Sequence, residues 1–140
     1  MKNVILFCIV VLGCTAENTV PTAPPAGPST SFDPATSTLL KMGTLAGIGG
    51  HSASGKASLY DSGGKKFVFL DPFMSQNGPD LKVYLSKDVS ASSYIRLGGL
   101  KSTGGSQSYE VPGMPDIAQY THVHIWCEQF SVEFARAELN

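Results

Sequence analysis

The chain has 140 residues, 42% of them hydrophobic and 15% charged, with 10 basic side chains set against 11 acidic ones. A near-neutral charge without a basic run or stripe argues against nucleic acid as a partner. Once the leader and tether described next are set aside, about one domain's worth of chain remains, enough for a modest core.

Met1–Gly13 reads as a short export signal. Lys2 supplies the positive start, Val4 to Leu12 is almost wholly apolar, and small Gly13 precedes Cys14. The apolar run falls short of the roughly 20 residues a membrane span needs. No other segment of the chain is apolar enough to cross. Val11-Leu12-Gly13-Cys14 resembles a bacterial lipobox, in which cleavage leaves Cys14 as the lipid-bearing first residue. Several acyl chains, at roughly 0.8 kcal/mol per buried methylene, would hold the protein on a membrane of the cell envelope, with its domain outside the cytoplasm. Residues 14–38 then form a tether rich in Pro, Thr, Ala and Ser, including Pro21, Pro24, Pro25, Pro28 and Pro34. Such a stretch buries too little surface to offset its ordering entropy.

Residues 39–140 read almost throughout with period two. Candidate strands are Leu40–Ala46, Gly55–Tyr60, Lys66–Leu70, Leu81–Leu85, Tyr94–Leu97, Gln107–Val111, His122–Cys127 and Phe130–Ala137. Their separators are turn chemistry: Gly49-Gly50, Asp61-Ser62-Gly63-Gly64, Gln76-Asn77-Gly78-Pro79, Gly98-Gly99 and Gly104-Gly105. No segment carries a helical stripe, although Pro115–Tyr120 has room for a single turn. The class is all-β, an antiparallel β-sandwich or flattened barrel of about eight short strands.

The last two strands carry the chemistry. In His122–Cys127, period two puts Val123, Ile125 and Cys127 on one face and His122, His124 and Trp126 on the other. The apolar trio should face the core. Phe130, Val132 and Phe134 form a second inward set just beyond Glu128-Gln129, so a tight hairpin with a thiol at its neck is expected. The three cysteines separate accordingly. Cys8 leaves with the leader and Cys14 takes the lipid. Cys127 stays alone in the domain, either as a small buried hydrophobe or as a reactive centre.

Four stretches in order resemble the DM-thirteen family, a small extracellular β-domain grouped with the DOMON redox and haem-binding modules. They are His51-Ser52-Ala53-Ser54-Gly55-Lys56-Ala57-Ser58-Leu59, then Phe69-Leu70-Asp71-Pro72-Phe73. Asn77-Gly78-Pro79-Asp80-Leu81-Lys82-Val83-Tyr84-Leu85 follows, and then Val123–Ala137 with its single Cys before a Phe strand. The resemblance covers nearly all of Leu40 to Leu139. It implies electron transfer centred on Cys127, as a bare thiol or as a ligand to a prosthetic group such as haem, in exchange with an unknown redox partner. It points to a redox or binding module rather than a turnover enzyme.

Other side chains invite rival readings. His122 and His124, two apart on a strand, project from one face and would pinch a metal ion given a third ligand from His51, Asp71 or Glu133. His51 either sits beside Cys127, sets its protonation and helps hold a cofactor, or bonds a turn backbone after Gly49-Gly50. Asp71 and Asp80 read as turn closers. No Ser/His/Asp constellation is recognisable among the many serines. Trp126, Tyr60, Tyr84 and Tyr94 are either sheet packing or an aromatic face for a glycan or an envelope protein. These leave a non-catalytic binding module and a metal-binding lipoprotein as alternatives to the redox module.

Overall fold

A computed structural model of the chain describes residues 31–140. The expected export signal, Cys14 and the first part of the expected tether lie outside the described residues. Eight strands follow: β1 (Thr38–Gly47), β2 (Ala53–Ser62), β3 (Lys65–Ser75), β4 (Leu81–Ser86), β5 (Tyr94–Gly99), β6 (Gly104–Val111), β7 (His122–Cys127) and β8 (Val132–Glu138). A single 3-10 turn, Ile117–Gln119, lies where the Pro115–Tyr120 segment was expected to coil, with the Asp116 carboxylate accepting from the Ala118 amide. All eight predicted strands are present, each within a few residues of its expected bounds. Among the described residues no helix is long and apolar enough to cross a membrane.

The strands join one antiparallel sheet in the order β5-β4-β7-β8-β1-β2-β3-β6. It curls until its edges come together, so the fold is a nearly closed barrel. Side chains join the two margins: the Lys101 amide, just after β5, donates to the Tyr109 hydroxyl of β6 at 2.9 Å. Closing a sheet on itself covers edges that would otherwise offer unpaired backbone groups.

Local chemistry sets the geometry. Ser62 and Lys65 pair across a two-residue loop, Gly63-Gly64, with φ of +61° and +88°. Such a turn needs positive φ at both central residues, and glycine provides it without steric cost. At Gly55 (φ +133°) the β2–β3 register slips, and a Cβ there would run into the Pro72 carbonyl. Glycine is required at that bend.

The inner face is apolar, with Leu45, Leu59, Val68, Leu70, Val83, Leu85, Val123 and Ile125 almost fully enclosed. Each such side chain contributes about 1.5–3 kcal/mol by leaving water.

One reading of the sequence needs correction. Phe130 and Val132 are not enclosed: Phe130 is 62% exposed in the turn, and Val132, although opposite inward-facing Cys127, is 38% exposed. Their place at the hairpin end is the reason, Phe130 within the turn and Val132 first in β8, and further along β8 a bulge intervenes. Ile125 faces Ala135 and Trp126 faces Glu133, which leaves Phe134 as the extra residue of β8. Phe134 and Ala135 are therefore both buried, and the period-two pattern breaks at that point. Packing on the barrel also extends to a residue ahead of β1. Phe32, within the stretch read as tether, packs on Tyr60, Phe67 and Phe69 with ring centroids 5.4, 5.0 and 5.3 Å away.

Candidate functional site

The alternation of β7 puts Val123, Ile125 and Cys127 on the barrel's inner side, each with no exposed surface. Cys127 ends the strand, opposite Leu81 of β4 and Val132 of β8. It is a free thiol within the apolar core. An open cleft of about 350 Å³ is lined by Asn77–Lys82 and Gly99–Thr103. Leu81, the cross-strand partner of Cys127, lines that cleft, but Cys127 does not. Haem ligation by this sulfur does not fit the structure, because a thiolate ligand must face a space that admits the porphyrin. Cys127 is enclosed by packed side chains instead.

The other face of β7 is buried by different means. His124 has no exposed surface, yet both ring nitrogens are engaged: Nε2 lies 2.7 Å from Ser86 Oγ and Nδ1 lies 2.6 Å from Glu133 Oε1. Glu133 also accepts from Arg136 at 3.3 Å, and Arg136 donates to the Val89 carbonyl at 3.0 Å. The Ser86 hydroxyl donates to the Asp88 carbonyl at 2.6 Å. The β4–β5 loop is thereby drawn across the outer surface of the sheet. Asp88 ties that loop by accepting from the amides of Ser90, Ser92 and Ser93 at 3.0, 3.0 and 3.2 Å, and from two serine hydroxyls. These bonds, with that from the Ser90 hydroxyl foremost, hold its carboxyl well below the usual range.

The sequence showed no serine–histidine–carboxylate constellation, but Ser86, His124 and Glu133 form one. Its members come from three strands, so only the pairing register could reveal it. The serine is fully enclosed, with its hydroxyl already directed at a carbonyl. The constellation therefore satisfies buried polar groups and offers no accessible nucleophile.

The two histidines do not converge on an ion. Their rings lie stacked with centroids 5.9 Å apart, and His122 Nδ1 contacts Thr121 Oγ1 at 2.8 Å. Among the described residues, no group of three His, Cys, Asp or Glu side chains is placed to hold a metal. Burial, and then the neighbouring His124, push the His122 ring below its ordinary pKa.

His51 sits elsewhere. Its amide donates to the Ile48 carbonyl at 3.1 Å, closing the Gly49-Gly50 turn, and its ring stacks on Phe134 at 3.8 Å. It lines a cleft of about 560 Å³ with Met74 and Gln76, and Cys127 is not part of that lining. Asp80 is paired with nearby Lys82, and Asp71 accepts from the Ser106 hydroxyl of β6, so both carboxylates are engaged within the barrel.

Beside the neck, the outer face carries an aromatic stack. Tyr84 lies between Tyr94, at 4.1 Å and 15°, and Trp126, at 6.1 Å and 20°. The Tyr84 hydroxyl donates to Glu128 Oε1 at 2.7 Å, and Arg96 Nε donates to the same oxygen at 2.7 Å. Burial, then the bond to Glu128, push the phenol pKa strongly up, while Arg96 and then Tyr84 hold the Glu128 carboxyl down. The sequence marked the aromatics; Glu128 looked like an ordinary turn residue.

The fold and the site define a small antiparallel β-barrel whose described residues hold one cysteine, Cys127, unpaired and enclosed in the core. The family model described as Electron transfer DM13 matches residues 47–139, and the chain belongs to that family. Its role is accordingly redox, in electron transfer. No curated protein and no solved structure matches the chain.

Proposed function

We propose that the protein is an electron-transfer module tethered by lipid to a bacterial membrane, working outside the cytoplasm, with the Cys127 thiol as its redox group. The observation that carries the reading is family membership across a barrel whose described residues hold a single cysteine, at the neck of the β7–β8 hairpin. The export-type leader and the Gly13-Cys14 pair support the lipid anchor.

The enclosed sulfur sets how such a centre would work. Thiol exchange requires a partner to reach the sulfur. In the resting barrel Cys127 is shielded from solvent oxidants, and a partner gains access only as the neck opens. Opening the end of a hairpin exposes fewer groups than unfolding the barrel, so it belongs to the low-energy local openings of a fold. Val132, opposite Cys127 and partly exposed, is the side chain whose departure uncovers the thiol.

The test is labelling of the folded protein with a small neutral thiol reagent, in parallel with amide exchange. Slow labelling whose rate barely depends on denaturant, and which Val132→Gly accelerates, supports a thiol reached by neck opening. Labelling that tracks global unfolding, together with undiminished electron exchange in Cys127→Ala, removes Cys127 as the redox group. The anchor is read separately: incorporation of a fatty-acid analogue in the native host should vanish in Cys14→Ser. Persistence of the label would overturn the lipid site.

A further inference from the structure

We propose that Tyr84 is a redox-active tyrosine that delivers one electron through Tyr94 to a one-electron oxidant at the surface while its phenolic proton passes to Glu128. The proposal rests on the electron-transfer role of the family and is independent of whether Cys127 is reactive.

A tyrosine that serves as an electron relay needs a route for the electron, a base for the proton and shelter for the radical. Tyr84 has all three. The route is the stack: Tyr94 is 48% exposed and lies nearly parallel to the Tyr84 ring at 4.1 Å, while Trp126 flanks Tyr84 at 6.1 Å. The base is Glu128, 2.7 Å from the phenolic oxygen. Arg96 at 2.7 Å keeps that carboxylate ionised and ready to accept. Shelter comes from burial, which leaves Tyr84 only 4% exposed.

Burial also suppresses the phenolate, so an electron cannot leave Tyr84 cheaply unless the proton leaves with it. In the step, the oxidant gains one electron and the Tyr84 O–H bond breaks. The proton forms the carboxylic acid of Glu128, and a neutral phenoxyl radical remains. An electron from a donor and return of the same proton restore the starting state. The oxidant is a high-potential one-electron acceptor, such as a metal complex or an oxidised metalloprotein.

A contrast within the barrel sharpens the assignment. Tyr109 is equally buried, but its hydroxyl donates to the amide oxygen of Gln107 at 2.6 Å, a group far too weakly basic to take the proton. Among the described residues, Tyr84 is the tyrosine whose hydroxyl meets a carboxylate.

The test uses photogenerated tris(bipyridine)ruthenium(III) with the whole protein in a Cys127→Ala background, which separates this proposal from the fate of the thiol. A long-lived tyrosyl radical, seen by absorption and by electron paramagnetic resonance, is expected. Tyr84→Phe should remove most of it. Glu128→Gln keeps an acceptor oxygen but not the basicity, and should slow oxidation about a hundredfold while making the rate depend on buffer base. Tyr94→Ala should slow electron delivery and leave the final radical on Tyr84. An unchanged radical in Tyr84→Phe, or an unchanged rate in folded Glu128→Gln, would overturn the assignment.

Discussion

The two faces of β7 are buried in opposite ways. Inside, Cys127 is enclosed by hydrocarbon; outside, His124 is enclosed just as completely, with both ring nitrogens bonded. A thiol is a weak enough hydrogen-bonding group to lie among leucines at little cost. An imidazole is not, because each orphaned nitrogen loses water without replacement. The outer face therefore needed Ser86, Glu133 and a loop closed by Asp88, whereas the inner face needed only side chains of matching shape. One burial isolates a group; the other wires it to neighbours. Proton-accepting chemistry sits on the wired side, next to an aromatic stack, and the sulfur sits on the isolated side.

A pair of variants tests whether that contrast is energetic as well as geometric. On the inner face, Ile125→Ala should cost about 2–5 kcal/mol, the usual loss for a fully enclosed aliphatic chain. On the outer face, Glu133→Ala strips the partner from His124 Nδ1 and should cost about 1–3 kcal/mol, with Glu133→Gln costing less because it keeps an acceptor. Denaturant unfolding measures both. If Glu133→Ala is neutral, water replaces the carboxylate and the outer face is not a closed network.

How much of this was legible beforehand follows from what period two encodes. It placed all eight strands and assigned Val123, Ile125 and Cys127 to the core, because alternation depends only on local sequence. It overstated the burial of Phe130 and Val132 at the hairpin end, and it missed the bulge across from Ile125 and Trp126 that buries both Phe134 and Ala135. A bulge is a property of two strands together, so one strand's pattern does not announce it. The same limit hid the Ser86–His124–Glu133 constellation and the Tyr84–Glu128 bond. Faces were readable; the register that sets Tyr84 opposite His124, and the turn that brings Glu128 to Tyr84, were not. The pairing of His122 with His124 was read from spacing alone, and spacing says nothing of the Thr121, Ser86 and Glu133 contacts that occupy the rings.

The smallest expected effect lies at His122, on the margin between the wired and the solvated parts of that face. Burial and the adjacent His124 lower its pKa from the ordinary 6.5, with Arg136 acting in the same direction and Glu138 and Asp88 opposing. The sign follows from proton counting. As pH falls through 6.5 the unfolded chain takes up a proton that the folded ring resists, so the unfolded state binds more protons and stability declines. The decline stops once pH passes below the lowered folded value. Asp88, Asp116, Asp61 and Glu128, all held below the carboxylate range, produce a separate loss at lower pH, as their folded-state advantage disappears on protonation. Unfolding free energy measured at closely spaced pH values should therefore fall in two steps, and His122→Asn should erase the upper step while leaving the lower one intact. An upper step that survives the substitution would remove His122 as its source.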